Sequence, residues 1–237
     1  MPALAQSRTI GLLGGMSWES TALYYRLLNS GMNKALGGHH NARSVLVTFD
    51  FADLLAYGNA GQWDRMAADL IGGARRLEAA GADCAVITAN TAHAVAEEVE
   101  LAIDVPLLHI VDATAAAISA RSIDRVGLIG TKFCLELGFY QRRLRDRHGI
   151  DAIVPKPEAR EALHRIIIDE LTRGEVRSSS RERCLAITSD LAAAGADAIV
   201  VACTELPLLV GEGDFPLPAF DTTRLHVDAM IRYALGD

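Results

Sequence analysis

One stretch of this chain is written twice. Leu77–Thr91, LEAAGADCAVITANT, returns 114 positions later as Leu191–Glu205, LAAAGADAIVVACTE. An earlier pair, Ile10-Gly11-Leu12-Leu13-Gly14 and Val126-Gly127-Leu128-Ile129-Gly130, recurs at an offset of 116, which also sets Tyr24 on Tyr140 and Arg26 on Arg142. Each copy reads as the end of a helix, a glycine stop, an apolar strand and a polar tip. Two copies are too few for a solenoid, whose repeats need several neighbours to bury a continuous core. A duplicated pair of α/β lobes satisfies the pattern.

The rest of the chain follows the same grammar. Strands are expected at Thr9–Leu13, Ser44–Phe49, Cys84–Thr88, Leu107–Val111, Arg125–Ile129, Ala152–Val154, Ala198–Ala202 and Leu217–Phe220. Helical patterns fill the intervals at Ser17–Ala35, Gln62–Ala80, Ala92–Ala102, Ala113–Ala120, Leu135–Arg147, Arg160–Arg173, Ser178–Ala194 and Thr222–Ala234. Strands alternating with helices imply parallel sheets with helical crossovers, and strands that are apolar throughout suit sheets covered on both faces. The expected fold is α/β: two pseudo-symmetric lobes, each a parallel sheet flanked by helices, with the active site in the cleft between them. Residues 1–112 with 222–237 are assigned to the first lobe and 113–221 to the second.

The chain has 237 residues, half of them hydrophobic, and a net charge of −7. That charge argues against nucleic acid or an anionic membrane surface as partner, since both select clustered basic residues. No apolar run reaches the length of a membrane span, and Met1–Arg8 holds no signal-peptide core. Four cysteines (Cys84, Cys134, Cys184 and Cys203) lack C-x-x-C spacing, so free thiols in a cytoplasmic protein are expected, with no metal site. Cys84 and Cys184 fall within strand and helix patterns and are assigned to packing.

Ligands of open parallel sheets bind beyond the carboxyl ends of the strands. Those exits here are Gly14-Gly15-Met16-Ser17, Asp50, Ala89-Asn90-Thr91, Gly130-Thr131 and Cys203-Thr204-Glu205. The turn Gly15, Met16, Ser17 opens a helix, where backbone N–H groups can hold a small carboxylate. It matches neither G-x-G-x-x-G nor the phosphate-binding loop with Lys followed by Ser or Thr. Cys203, with Glu205 two residues on, can act as acid or base if its pKa is tuned. Asn90 and Thr91 can cap the following helix or bind a carboxylate, and the two roles are compatible. His93, inside that helix, is open to a structural or a chemical role. Asp50 is read either as a helix cap or as a carboxylate tuning a nearby acid or base.

Together these motifs resemble the aspartate/glutamate racemase family, in particular its aspartate racemase branch. The resemblance spans nearly the whole chain and rests on Gly-Leu-Leu-Gly-Gly-Met-Ser at 11–17, Asp50-Phe51, Asn90-Thr91-Ala92-His93, Gly130-Thr131 with Phe139-Tyr140, Asp169-Glu170-Leu171 and Cys203-Thr204-Glu205. It implies racemisation of aspartate, glutamate or a related small amino acid without pyridoxal phosphate, metal or other cofactor, and a homodimer. It makes Cys203 the second-lobe acid/base assisted by Glu205, and Asp50 the support of the first-lobe acid/base. Gly15, Met16, Ser17, Asn90, Thr91, Thr131 and Thr204 then bind the substrate carboxylates.

The departure is at position 89. The family places a cysteine, or in some members a threonine, immediately before Asn-Thr; this chain has Ala89, which has no proton to exchange. A second departure is Cys134, where relatives usually carry threonine. Full racemisation is therefore expected to be impaired. Ala89 is explained by deliberate replacement of the cysteine, by natural one-thiol chemistry of the kind carried out by the related arylmalonate decarboxylases, or by conversion to a binding protein. The alternatives to a racemase are accordingly a single-cysteine lyase, decarboxylase or isomerase acting on a small dicarboxylate, and a non-catalytic dicarboxylate-binding protein.

Overall fold

A computed structural model describes residues 7–237. The chain divides into two compact units. The first runs up to Thr88 and adds Val95–His109 and His226–Asp237; the second comprises Ala89–Ala94 and Ile110–Leu225. The boundaries differ from those drawn on the sequence chiefly at 89–94. That segment groups with the second unit because its groups bond there: Asn90 to Thr222, Thr91 to Thr131, and His93 to the Ile110 amide.

The first unit holds a parallel three-stranded sheet in the order β2-β1-β3, formed by Ile10–Gly14 (β1), Ser44–Thr48 (β2) and Cys84–Ile87 (β3). Its helices are Trp18–Leu36 (α1), Phe51–Asn59 (α2), Trp63–Ala79 (α3) and Ala96–Glu100 (α4). Helix α1 starts where the Ser17 hydroxyl accepts the Ser20 N–H, and ends at Gly37. Its buried Tyr24, Leu28 and Met32 recur at four-residue spacing, placing one face against Ile10, Leu12 and Val86. The Tyr24 hydroxyl bonds Nδ1 of His226, whose Nε2 donates to the Leu108 carbonyl at 2.7 Å.

The second unit holds a parallel four-stranded sheet in the order β5-β4-β6-β7, made of Arg125–Gly130 (β4), Asp151–Ile153 (β5), Ala198–Ala202 (β6) and Ala219–Asp221 (β7). Helices Ile110–Ser119 (α5), Lys132–Glu136 (α6), Phe139–His148 (α7), Pro157–Arg165 (α8) and Ser178–Ala193 (α9) accompany it. The final helix, Thr222–Leu235 (α10), follows β7 directly.

The sequence repeat is a repeat of register. Ile10 pairs with Cys84 in β1–β3, and Val126 pairs with Ala198 in β4–β6. The Asp83 N–H donates to the Thr9 carbonyl at 2.8 Å, and the Asp197 N–H to that of Arg125 at 2.9 Å. Gly81 and Gly195 both take positive φ, 83° and 92°, which lets each helix stop and turn directly into its strand. Equivalent residues therefore leave equivalent strands at positions 89 and 203.

Several expected elements change. The run Leu107–Val111 makes only one bridge, Ala85 to Leu107, and the chain is helical from Ile110. Ala92–Ala102 is a 3-10 turn, Thr91–Val95, followed by the short α4. Gly138, at φ 73°, divides the expected helix 135–147 into α6 and α7. The expected helix 160–173 begins earlier, at Pro157, and passes through a π turn at Ile166–Glu170. Helix α2 was not expected. Among the described residues no helix is long and apolar enough to cross a membrane.

Candidate functional site

Strand β6 carries Cys203 just past its end, and the thiol is 4% exposed. It donates to Glu205 Oε2 at 3.1 Å, and the neighbouring Thr204 hydroxyl donates to the same oxygen at 2.7 Å. Burial pushes the thiol pKa well above its ordinary value, and the Glu205 charge adds to the rise. At neutral pH Cys203 is therefore a thiol, with a hydrogen-bonded carboxylate placed to take its proton.

The same position of the first repeat is Ala89, also buried. His93, 2% exposed, fixes the backbone here. Its Nε2 lies 3.3 Å from the Ile110 N–H and its Nδ1 lies 2.7 Å from the Ala89 carbonyl. A backbone N–H can only donate and a carbonyl can only accept, so the ring is neutral with its proton on Nδ1. Both nitrogens are spent on main chain. His93 thus clamps the backbone at the end of β3 to the start of α5.

Asn90 and Thr91 point their polar atoms at neighbours from other elements. The Thr91 hydroxyl lies 2.8 Å from that of Thr131 and 3.5 Å from Cys134 Sγ. Thr131 caps α6 by accepting the Cys134 N–H. Burial raises the Cys134 pKa, which the bonds from Thr131 and Thr91 partly offset. Asn90 Nδ2 donates to Thr222 Oγ1 at 3.1 Å. The second unit thus brings Asn90, Thr91 and Thr131 into bonded clusters, and carries Thr204 on the Cys203–Glu205 pair.

The remaining expected residues lie in the first unit. Gly15 has φ 88°, and its N–H is taken by the Thr21 hydroxyl at 2.8 Å, so this amide is not open to an anion. Ser17 is the N-cap of α1, while Met16 is half-buried. Asp50 is exposed and caps α2, accepting the Ala52 N–H at 2.9 Å. Among the described residues no group of three or more His, Cys, Asp or Glu side chains is arranged to hold a metal ion.

Thr222 was missed. It lies at the junction of β7 and α10, fully buried, and touches both the Asn90 carboxamide and the Val201 carbonyl of β6. The strand-exit rule would have found it had it been applied to Asp221-Thr222-Thr223 as it was to the five exits above.

Known proteins share both the sequence pattern and the fold. The family description Asp/Glu/Hydantoin racemase matches residues 13–230. The chain is 43% identical to a candidate Asp/Glu racemase of Yersinia pestis, with TM-score 0.91 over 96% of this chain and 99% of the other. It is 31% identical to an aspartate racemase homologue of Pyrococcus horikoshii, with TM-score 0.80 over 96% and 99%. The broad specificity amino-acid racemase RacX of Bacillus subtilis is 24% identical over 222 residues, covering 90% of this chain and 92% of RacX. With a match from Leu13 to Met230 and two parallel sheets flanked by helices, the chain belongs to the Asp/Glu/Hydantoin racemase family.

Proposed function

We propose that this protein moves the α-proton of a small acidic amino acid, aspartate, glutamate or a close relative, using Cys203 as its acid/base and no cofactor. The supporting observation is the Cys203–Glu205 contact: a buried thiol 3.1 Å from a carboxylate that can accept its proton. The substrate's α-ammonium, placed beside the site, would favour the thiolate by adding positive charge. The thiolate then takes the α-hydrogen, the C–H electron pair is held by the carboxylate-stabilised carbanion, and the thiol returns a proton to carbon. Asn90, Thr91, Thr131 and Thr204 supply the polar groups for the carboxylates, where donors aimed at developing charge contribute most.

Position 89 sets the outcome. Inversion requires a second proton-transfer group on the opposite face of the carbon, and alanine supplies none. The chain therefore exchanges the α-proton on one face and racemises only slowly, through water. The hand exchanged is L, the hand on which the second-half cysteine works in the racemases this chain resembles. The test is incubation of L- and D-aspartate and L- and D-glutamate in heavy water, followed by mass spectrometry and chiral separation. One enantiomer should gain one deuterium while staying optically pure, and Cys203→Ala should abolish the gain. Deuterium incorporation that persists in Cys203→Ala would sink the proposal. Absence of exchange with all four amino acids would do so as well, and release of CO2 from small dicarboxylates would then identify a lyase.

A further inference from the structure

Two side chains aim a proton at the same oxygen. Glu205 Oε2 accepts the Thr204 hydroxyl at 2.7 Å and the Cys203 thiol at 3.1 Å. An ionised carboxylate can only accept, so both bonds have a fixed direction. They are unequal in strength. The hydroxyl contact has the length of a charge-assisted O–H···O⁻ bond, whereas S–H is a weak donor.

The sulfur is held between opposing influences. Burial and the Glu205 charge keep Cys203 a thiol, while the backbone N–H groups of Glu205 and Leu206 bond to the sulfur and favour the thiolate. Those N–H groups are placed by the main chain. It enters a 3-10 turn at Leu206–Leu208, where the Leu208 N–H donates to the Glu205 carbonyl at 2.9 Å. The Glu205 carboxylate, by contrast, hangs on three side-chain torsions in a half-buried residue. Ordering so long a side chain costs rotamer entropy, which a weak S–H donor does not offset. The Thr204 hydroxyl is the stronger anchor.

Resting on the acid/base role proposed for Cys203, we infer that Thr204 is a positioning residue: its hydroxyl holds the Glu205 carboxylate against the thiol and so sets how firmly Cys203 keeps its proton. Thr204 acts on the sulfur through Glu205. Its one hydroxyl proton is committed to Glu205 in the free protein. A substrate carboxylate that draws on this hydroxyl does so at the expense of the Glu205 bond, which couples recognition of the acid to protonation of the thiol.

The experiment measures iodoacetamide labelling of Cys203 in the free protein at about pH 8.5, read by mass spectrometry of the peptide that carries it. The reagent takes the thiolate, so at one pH the rate follows the thiolate population. Thr204→Val keeps the shape of the side chain and loses the hydroxyl. It should speed labelling by about fivefold or more, the factor exerted by a unit charge about 4 Å away even at the dielectric of bulk water. Thr204→Ser, which retains the hydroxyl, should label like the unaltered chain. Glu205→Gln should also speed labelling. Adding Thr204→Val to Glu205→Gln should change the rate by less than about twofold, because the charge that Thr204 positions is already gone. General loosening around the sulfur would add its own factor in that background. Unchanged or slower labelling in Thr204→Val overturns the inference. So does fast labelling in Thr204→Ser, or a Thr204→Val effect of equal size with and without Glu205→Gln. If Thr204→Val does not fold, Thr204→Ala carries the same expectations. The labelling involves no amino acid and decides the role of Thr204 by itself, whereas absence of deuterium exchange counts against the proposed function alone.

Discussion

Cys203 Sγ stands 3.1 Å from Glu205 Oε2, and the thiol is the donor. Burial and the Glu205 charge both act against the thiolate. A carbon-13 NMR titration of the Cys203 side chain should find no ionisation up to about pH 9, the ordinary range for a thiol. Glu205→Gln removes the repelling charge and should move the titration down. With the thiolate as the proposed base, the exchange rate should climb steadily from pH 7 to 9 and reach no plateau. A Cys203 that titrates below 8, or that moves upward in Glu205→Gln, contradicts this account.

Two other thiols set an alkaline limit to stability. Burial pushes Cys84 and Cys184 up to about 12 from 9.0. In the unfolded chain both ionise near their ordinary value, so above about pH 9 the unfolded state binds fewer protons than the folded state. Stability is therefore fully present below about pH 9 and is lost as pH rises toward 12, at roughly 1 kcal/mol per thiol per pH unit. Urea unfolding at pH 8 and pH 10.5 measures this directly. Cys184→Ala should show a shallower loss over the same interval, even though it begins from lower stability. Identical losses in the two proteins would assign the alkaline effect elsewhere.

Gly15 cannot be replaced cheaply. Its φ of 88° belongs to glycine, and a Cβ at this position would lie 2.1 Å from the Phe49 carbonyl oxygen. Gly15→Ala should lower unfolding stability by more than about 1 kcal/mol through backbone strain alone, with the clash adding to it. Denaturant titration checks this. The control is Gly61→Ala, also at positive φ (66°) but with open space around its Cβ, which should cost less.

The repeat made most of the fold legible, because a strand that is apolar throughout and bounded by Ala-Gly-Ala-Asp leaves one register for its neighbour. Ala198–Ala202 was read with its observed bounds. Where the repeat gave no guide, local pattern failed for identifiable reasons. The run Leu107-Leu108-His109-Ile110-Val111 looks like a strand, but periodicity cannot separate a short apolar strand from the start of a buried helix. Asp50 hid helix α2, since a carboxylate after a strand reads equally well as a cap or a strand-end acid. Of the site, Cys203 and Glu205 were legible as a pair two residues apart. The bonds that join Thr91 to Thr131 and Asn90 to Thr222 were not, because partners 40 and 132 positions apart leave no local trace.

Placing a thiol at position 89 is the most direct test of the proposed mechanism. Ala89 is held through its carbonyl by His93, so its backbone direction does not depend on the side chain placed there. The position is 8% exposed, and the added sulfur should cost about 1–3 kcal/mol in crowding, which a well-packed unit tolerates. Ala89→Cys should convert one-sided exchange into racemisation, measured as loss of optical rotation from either enantiomer of the substrate. In Ala89→Cys combined with Cys203→Ala, only the new thiol remains. That double variant should again exchange a single enantiomer in heavy water without inverting it, and the enantiomer should be the opposite of the one exchanged by the unaltered chain. Exchange of the same hand by both proteins would show that positions 89 and 203 do not address opposite faces of the substrate carbon. A chain that gains no racemisation from Ala89→Cys, while still exchanging through Cys203, would show that residue 89 is not what limits inversion.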